Sequence, residues 1–489
     1  MKNYENEIKK DSIVVNYILQ SFYKVLQIVL PLITTPYISR ILTSTGVGEF
    51  TYVSSVSYFF ILAANLGIAN YGNRVIAENA NNRSSLSRAF WSIYYCHFIV
   101  SFMAIAVYIF FVEIFVEQYK WIFYCELFAL FAAMFEITWF FTGLQQFRIT
   151  VARSTIARLV SVVLVFIFVK ERTDVWKYIV ILSGGQLLSQ LVTWLQVKRY
   201  ISFSKPCMKD IFSHVRPMIV LFIPQLAVGL YHNMGKVLLT KFSDASQTGL
   251  YGSADRIINI PLGLITALGV VSLPKISELL LNGREQEAIS HIRVSMRFAL
   301  WLACGMIFGL IGIAPVFVPV FLGEGYEGCI MLISMMAITI LFVTWSDVLR
   351  SHFLIPKKRD RAYVLSVLLG AVINLIIDIM LIPSFQAVGA VIGAVVAEVF
   401  VAIVQSFYAK ELPFADMIKP CISYFLSGIC MCVCVRVIGN YMNISIITLG
   451  VEILFGVLFY LLLTLSYLKK KNDPLWDFLC NKFDRIRKR

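Results

Sequence analysis

Residues 13–42, IVVNYILQSFYKVLQIVLPLITTPYISRIL, form a long apolar run in which Lys24 and Arg40 are the only charged side chains. About 20 apolar residues are enough to cross the hydrocarbon core of a bilayer as a helix. The run has no small-residue cleavage site, so we predict a first transmembrane helix rather than a signal peptide.

The rest of the chain has the same apolar character. Hydrophobic residues make up 59% of the 489 residues, charged residues 15%, and the mean hydropathy is +0.77. Soluble domains carry about 25% charged residues, so we expect most of the surface to face lipid. Apolar windows predict fourteen spans, at about 13–42, 48–72, 88–112, 120–142, 150–170, 175–197, 216–242, 247–274, 297–322, 328–349, 362–383, 387–409, 418–438 and 445–468.

The distribution of Lys and Arg predicts the orientation of these spans. With the N-terminus inside, 33 of the 43 basic residues fall on the cytoplasmic side. Only Arg40, Lys120, Lys170, Arg172, Lys177, Lys241 and Arg436 fall outside, while Lys24, Lys236 and Arg256 lie within spans. Positive loops stay in the cytoplasm, so we expect both termini inside. Membrane insertion and contact with anionic lipid account for the net charge of +14. We therefore expect no nucleic-acid binding.

The predicted fold is all-α: a polytopic membrane protein of about 14 transmembrane helices. A weak repeat at an offset of 201 residues places Arg40 on Lys241 and Thr35 on Lys236. Parallel repeats are a common transporter plan, with the substrate path between the halves. We therefore expect two six-helix lobes around a central cavity, followed by two further helices. The segments are 1–198 (spans 1–6), 199–215 (a cytoplasmic linker), 216–410 (spans 7–12), 411–468 (spans 13–14) and 469–489, a basic amphipathic tail that would lie on the cytoplasmic face.

Motifs for catalysis and metal binding are missing from the sequence. There is no P-loop motif, and no group of His, Asp and Glu has metal-ligand spacing. Cys430, Cys432 and Cys434 do not share one helix face. We therefore expect no enzyme, no metal site and no cofactor.

Polar side chains enter the apolar spans at helical spacing, mainly on spans 1, 2, 7 and 8. A lone charge at the centre of the bilayer is costly, so such groups usually face a wet cavity or a partner. The basic residues favour a cationic chamber for an anionic cargo such as a pyrophosphate, although Lys24 could instead snorkel and Arg256 could pair with a carboxylate. The predicted substrate-binding residues are Lys24, Arg40, Lys236, Lys241, Arg256, Gln20, Gln27, Tyr52, His232, Asn233 and Asn259.

Acidic residues within spans are candidates for a coupling proton or sodium ion. They include Asp255, Asp378 and Glu398, which we select as ion-coupling candidates, and Glu126, Glu136 and Asp347. Structural pairing is the alternative role for each of them, because internal ion pairs are the usual way in which a membrane protein tolerates charge.

Several stretches of the first 90 residues resemble one family. They are Asn16-Tyr17, Pro31–Leu42 (PLITTPYISRIL), Gly46–Phe50 (GVGEF) and Leu66–Arg74 (LGIANYGNR). Together they resemble the bacterial polysaccharide flippases of the Wzx type, which handle O-antigen or capsule repeat units. These flippases belong to the multidrug/oligosaccharidyl-lipid/polysaccharide exporter superfamily. The two extra spans are more similar to the lipid II flippases of that superfamily.

The resemblance implies a function. Such a protein carries an undecaprenyl-pyrophosphate-linked oligosaccharide from the inner to the outer leaflet of the bacterial cytoplasmic membrane, by alternating access. Its partners would be that lipid-linked oligosaccharide, membrane lipid, and a polymerase or glycosyltransferase. The alternatives are a lipid II-type flippase, a cation-coupled multidrug antiporter, which would need an acidic chamber that spans 1 and 7 do not offer, and a scaffold that transports nothing.

Overall fold

The computed structural model describes the backbone of residues 13–471 and 473–476, and their side chains except at 13–21, 24, 28 and 267–275. Throughout this part of the chain the regular elements are helices. The predicted all-α class is therefore confirmed. The chain forms two compact units, residues 1–240 and residues 241–489. The predicted boundaries of lobes, linker and tail remain predictions.

The first unit is built from helices of very unequal length. They are α1 (Ile13–Asn65), α2 (Ile68–Asn79), α3 (Arg83–Phe115), α4 (Lys120–Cys125), α5 (Leu127–Met134), α6 (Thr138–Gly143), α7 (Phe147–Phe168), α8 (Val175–Val197), α9 (Met208–Ser213) and α10 (Val215–Phe242).

The second unit contains the remaining helices. They are α11 (Ala245–Leu281), α12 (Glu285–Phe321), α13 (Gly328–Met336), α14 (Thr339–Leu349), a π-helical turn (Arg350–Leu354), α15 (Asp360–Phe407), α16 (Phe414–Ile418), α17 (Cys421–Tyr441) and α18 (Ile446–Lys471).

Eleven helical segments of the described chain are long and apolar enough to cross a membrane. Two of them contain a residue with positive φ, Thr43 (φ 59°) in α1 and Gln386 (φ 49°) in α15. A residue in the left-handed region cannot continue a helix. Both residues lie at boundaries between predicted spans. The total of fourteen spans remains a prediction.

A close backbone contact determines where the second half of α1 ends. Gly67 has φ +74°, and a Cβ there would lie 2.8 Å from the carbonyl oxygen of Met218 on α10. Only glycine satisfies both the left-handed conformation and the short approach. The predicted span 48–72 is therefore interrupted at residues 66–67, where α1 turns into α2.

Aromatic side chains form the core of the first unit beside α2. Phe90 of α3 stacks on Trp139 of α6, with ring centroids 5.5 Å apart. Tyr94 meets Trp194 of α8 edge to face at 4.5 Å. These rings bury large apolar areas in preferred geometries, and they hold the short helix α6 between α2, α3 and α8.

Small residues allow close helix packing in the second unit. The Cβ positions at Gly305 and Gly428 are filled by the rings of Tyr460 and Phe308, so α12 lies tightly against α18 and α17. Trp301 donates its indole N–H to Thr464 at 2.9 Å, and the Tyr460 hydroxyl donates to the Trp301 carbonyl at 2.7 Å. Such packing replaces the hydrophobic effect as the main attraction between helices in lipid.

The chain after α18 returns to the same end of the second unit. Asp473 forms a nearly buried ion pair with Arg297 at 2.9 Å, Leu475 is buried, and Trp476 joins the core cluster around Trp301. The basic amphipathic tail predicted for 469–489 lies mostly outside the described residues.

An ion-pair network joins three connections of the second unit. Lys357 contacts Glu285 at 2.6 Å and Glu411 at 2.7 Å, and Arg359 contacts Glu411 at 2.6 Å. Hydrogen bonds from Lys357 and Arg359 lower the pKa of Glu411. Burial lowers the pKa of Lys357, but its bonds to Glu285 and Glu411 outweigh that effect and raise it. The network therefore links the start of α12 to both ends of α15.

Replacement of Gly72 by alanine should destabilise the first unit. The new Cβ would lie 2.5 Å from the Trp139 ring, and overpacking of this kind costs about 1–3 kcal/mol. Gly184, in α8, is the matched control because its Cβ would meet no atom within 4 Å, so G184A should be neutral or stabilising by up to ~1 kcal/mol. Thermal unfolding of the detergent-purified variants measures both, and equal melting temperatures for G72A and G184A would contradict this packing.

Replacement of Glu411 by glutamine should lower the melting temperature at pH 7 by a small amount, equivalent to ~1 kcal/mol or less for a half-exposed pair. The lowered pKa of Glu411 means that its contribution is present above the ordinary value of 4.5 and lost as the pH falls through the lower folded value. The wild type and E411Q should therefore differ at pH 7, and the difference should shrink as the pH falls below 4.5. The exposed pair Arg74–Glu78 supplies the control variant E78Q. A pH-independent difference for E411Q would show that the charge of Glu411 is not involved.

Candidate functional site

Helix α10 carries one group of the predicted substrate-binding residues and packs along the second half of α1. A Cβ on Gly229 would lie 2.8 Å from the Tyr58 ring, so this glycine lets the two helices approach. Val237 packs against the cluster that includes Val53 and Val56. The contact brings Asn233 and Lys236, one and two turns after Gly229, close to the same side of α1.

The side chains on α10 differ in exposure. His232 is exposed, whereas Asn233 and Lys236 are half-buried. Asn233 donates to the Gly229 carbonyl at 3.1 Å, one turn earlier in its own helix, and His232 and Lys236 also make contacts within the chain. The predicted polar face of span 7 is therefore partly saturated by the protein itself.

The predicted residues on α1 are dispersed. Tyr52 is half-buried with its ring edge-on to Phe123 at 5.8 Å and near Tyr119 at 6.5 Å. Gln27 and Arg40 are exposed. The side chains of Gln20 and Lys24 lie outside the described residues, so their predicted roles remain predictions.

A second group of predicted residues lies in the other unit, on or near α11. Arg256 is half-buried, while Lys241 and Asn259 are exposed. Asn259 donates to the Asp255 carbonyl at 2.8 Å and to its carboxylate at 3.1 Å. Asp255 is thus engaged one turn along its own helix, and adjacent residues such as Asp255 and Arg256 do not face each other on a helix.

Arg256 lies within electrostatic range of the fully buried Tyr326, in the connection between α12 and α13. Burial raises the pKa of the Tyr326 phenol, and the Arg256 charge opposes this rise. Arg256 is therefore close enough to an internal phenol for its charge to be felt there, and it also makes contacts within the chain.

The deepest candidate for ion coupling is Asp378 on α15, which is 1% exposed. Its Oδ1 accepts a long hydrogen bond of 3.4 Å from Asn374, one turn earlier. A Cβ at Gly393, on the second half of α15, would lie 2.2 Å from the same oxygen. Among the described residues, Oδ2 of Asp378 has no hydrogen-bond partner. The absence of a side chain at Gly393 thus leaves room for the Asp378 carboxylate, which is only partly hydrogen-bonded among the described residues.

The other acidic candidates have different surroundings. Glu398 is half-buried and makes contacts within the chain. Asp347 pairs with Arg350, as the structural interpretation of such residues predicts. Within the described part of the chain no group of three His, Cys, Asp or Glu side chains could hold a metal ion.

Two residues beside Asp378 were missed from the sequence. Asn374 and Gly393 complete the surroundings of this carboxylate. The signal for Asn374 was available, because an Asn-x-x-x-Asp pair in an apolar run shares one helix face. Gly393 carried no such signal, because its contact joins the two halves of α15 across the turn at Gln386.

Comparisons with known proteins agree with this fold. The family described as "Polysaccharide biosynthesis protein" matches residues 13–280. A "Putative O-antigen transporter" of Shigella dysenteriae is 23% identical over 76% of this chain and 94% of its own length. A protein of the same name from Escherichia coli (strain K12) is 20% identical over 78% and 93%.

Solved structures show the same architecture at low identity. The lipid II flippase MurJ in an inward closed conformation covers 94% of this chain and 99% of its own, with a TM-score of 0.74 and 14% identity. An inward-facing multidrug resistance MATE family transporter covers 80% and 99%, with a TM-score of 0.55 and 13% identity. The chain therefore has a multi-pass membrane transporter fold, and the predicted resemblance to the flippase superfamily is confirmed.

Proposed function

The chain belongs to the polysaccharide biosynthesis protein family, whose match spans more than half of it, and we propose that it is a flippase for a polyprenyl-pyrophosphate-linked oligosaccharide. The cargo would move from the inner to the outer leaflet of the bacterial cytoplasmic membrane by alternating access, for synthesis of a surface polysaccharide such as O-antigen or capsule. The names of the two curated relatives, O-antigen transporters, support this class of cargo.

The observation that carries the proposal is the pair of half-buried basic side chains on apolar helices, Lys236 on α10 and Arg256 on α11. A charge within the hydrocarbon region costs at least about 2.5–3.5 kcal/mol, so an intramembrane cation is by default a candidate for a functional pathway; both side chains also make contacts within the chain. Both are cations, and a pyrophosphate group provides matching negative charge. In the proposal, Lys24, Arg40 and Lys241 extend the cationic path and the polar side chains contact sugars.

The alternatives within the superfamily predict different chambers. A multidrug antiporter for cationic drugs would need carboxylates on the helices that carry the substrate. The described residues of α1 and α10 include a single acid, Glu49, near the start of the second half of α1. A lipid II-type flippase would share the cationic path, and its sugar would differ. The basic residues thus favour a flippase over an antiporter.

The proposal also assigns a location and an energy source. Both termini would lie in the cytoplasm, where the positive-inside rule places the basic loops, and the polymerase and glycosyltransferases of the pathway would be partners. Asp378 is the preferred ion-coupling residue, because Asp255 and Glu398 already have contacts within the chain. A buried carboxylate with an unsatisfied oxygen can bind a proton or a sodium ion.

Neutralising the basic pair tests the cargo. K236Q and R256Q should each reduce export of lipid-linked repeat units about tenfold or more, because each removes a charged hydrogen bond of about 1.5–3 kcal/mol. Protein levels in the membrane should stay unchanged. The control is R74Q, which removes an exposed cation from α2. Export is measured by labelling the polysaccharide at the cell surface, in a strain that lacks the native flippase. Normal export by both variants would remove the proposed cargo site.

Replacement of Asp378 by asparagine tests ion coupling. In proteoliposomes, D378N should lose the stimulation of flipping by an imposed ion gradient, because a neutral amide does not bind a proton or a cation as a carboxylate does. Binding of the lipid-linked substrate should be retained, because Asp378 is not one of the proposed substrate-binding residues. D360N, an exposed acid on the first turn of the same helix, is the matched control. A gradient response in D378N equal to that of the wild type would exclude Asp378 from coupling.

A further inference from the structure

The predicted span 120–142 is not one helix, because it breaks twice and carries a glutamate at each break. Glu126 separates α4 from α5, and Glu136 lies between α5 and α6. A break within the bilayer frees backbone groups that lipid cannot satisfy. Each break also brings a carboxylate into the span, so the surroundings of Glu126 and Glu136 can be compared directly.

The break at Glu136 is fully supported by neighbouring donors. The Glu136 carboxylate accepts the backbone N–H of Thr138 at 2.7 Å and the side-chain amide of Gln190. The carbonyl oxygens of Phe135 and Glu136 each receive an indole N–H, from Trp194 and Trp139, at 3.1 Å.

An arginine completes the support of this second break. Arg153 of α7 donates to the Gln190 amide oxygen at 2.9 Å and to the Thr138 hydroxyl at 3.1 Å. Its positive charge is therefore one hydrogen-bonded residue away from the Glu136 carboxylate. The Glu136 carboxylate therefore has both hydrogen-bond donors and a nearby cation in its surroundings.

The break at Glu126 lacks this support. Glu126 is 6% exposed, and its carboxylate accepts one hydrogen bond, 2.6 Å from the hydroxyl of Ser54 on the second half of α1. Across the described part of the chain, no Lys or Arg forms an ion pair with it. A single hydroxyl does not replace the hydration of a carboxylate.

The titratable groups around Glu126 are neutral ones. From α3, the Tyr108 phenol lies within electrostatic range and donates to the Phe123 carbonyl at 2.8 Å. From α4, the thiol of Cys125 adjoins it, and from α8 the Ser183 hydroxyl reaches the Cys125 carbonyl at 3.5 Å. The N-terminal end of the short helix α5 favours negative charge, but by less than burial in the protein interior disfavours it.

We propose that Glu126 is a proton-binding site of the first unit. The carboxylate takes up one proton from water to become a neutral carboxyl group, and it returns the proton to water when it ionises, with Ser54 bonded to it throughout. A proton fits better than a metal ion, because one carboxylate and one hydroxyl offer too few oxygen ligands and no metal-holding group occurs among the described residues. The inference does not depend on the identity of the cargo.

Infrared difference spectroscopy of the purified full-length protein in nanodiscs tests the site without any substrate. The wild type should show a band of a protonated carboxyl group at neutral pH, and that component should be lost in E126Q. E136Q, at the other break of the same span, should leave this component unchanged. S54A should keep the carboxyl component of Glu126 and shift its frequency, because one hydrogen bond is removed.

Two results would overturn the proposal. One is a carboxyl band in E126Q identical to that of the wild type, together with no shift in S54A. The other is conversion of the band to a carboxylate band on addition of sodium chloride at constant pH, which would make Glu126 a sodium ligand. Because S54A leaves the glutamate in place, its frequency shift decides the question even if E126Q does not fold.

Discussion

Lipid offers no hydrogen bonds, so every polar group that this chain carries into the bilayer must find its partner within the protein or in a water-filled space. Long helices satisfy their own backbones. Where a helix is interrupted, side chains from other helices supply the bonds, as the indoles of Trp139 and Trp194 do for the carbonyls beside Glu136. Steric clearance is a separate constraint: α10 can approach the turn at Gly67, where a larger residue would collide with the backbone.

The same constraint separates two classes of intramembrane acid. Asp347 has Arg350, and Glu136 has an amide network that ends at Arg153. Glu126, Asp378 and Glu452 are equally buried, but within the described residues none of them has an ion pair. At both Gly393 and Gly439 a Cβ would collide with the carboxylate of the adjacent acid, Asp378 and Glu452 respectively. The chain therefore makes space for these carboxylates without neutralising them, which is costly unless their charge changes during function.

Hydropathy alone was sufficient to predict the all-α membrane fold, because the apolar length of a span depends only on neighbouring residues. The breaks could not be predicted in the same way. A break at Glu136 is stable only because Gln190, Arg153 and two tryptophans converge on it, and that convergence joins residues far apart in sequence. For the same reason the surroundings of the predicted site residues could not be read from the sequence. Lys236 and Arg256 are half-buried, whereas the Tyr52 ring packs on Phe123, and the site itself remains a prediction.

The surroundings of Arg256 and Lys236 within the chain affect how the proposed cationic path would work. The half-buried guanidinium group of Arg256 lies within electrostatic range of Tyr326, so it has lost part of its hydration before any cargo arrives, and an anion would meet a charge that is already partly desolvated. A lysine has no fixed fork and must be positioned by its helix, which the tight contact between Gly229 and Tyr58 provides for α10. Each cation would thus contribute to the proposed path in its own way, Lys236 placed by its helix and Arg256 by its contacts within the chain. Release of an anionic cargo requires that this attraction weaken, and a carboxyl group that loses a proton supplies competing negative charge.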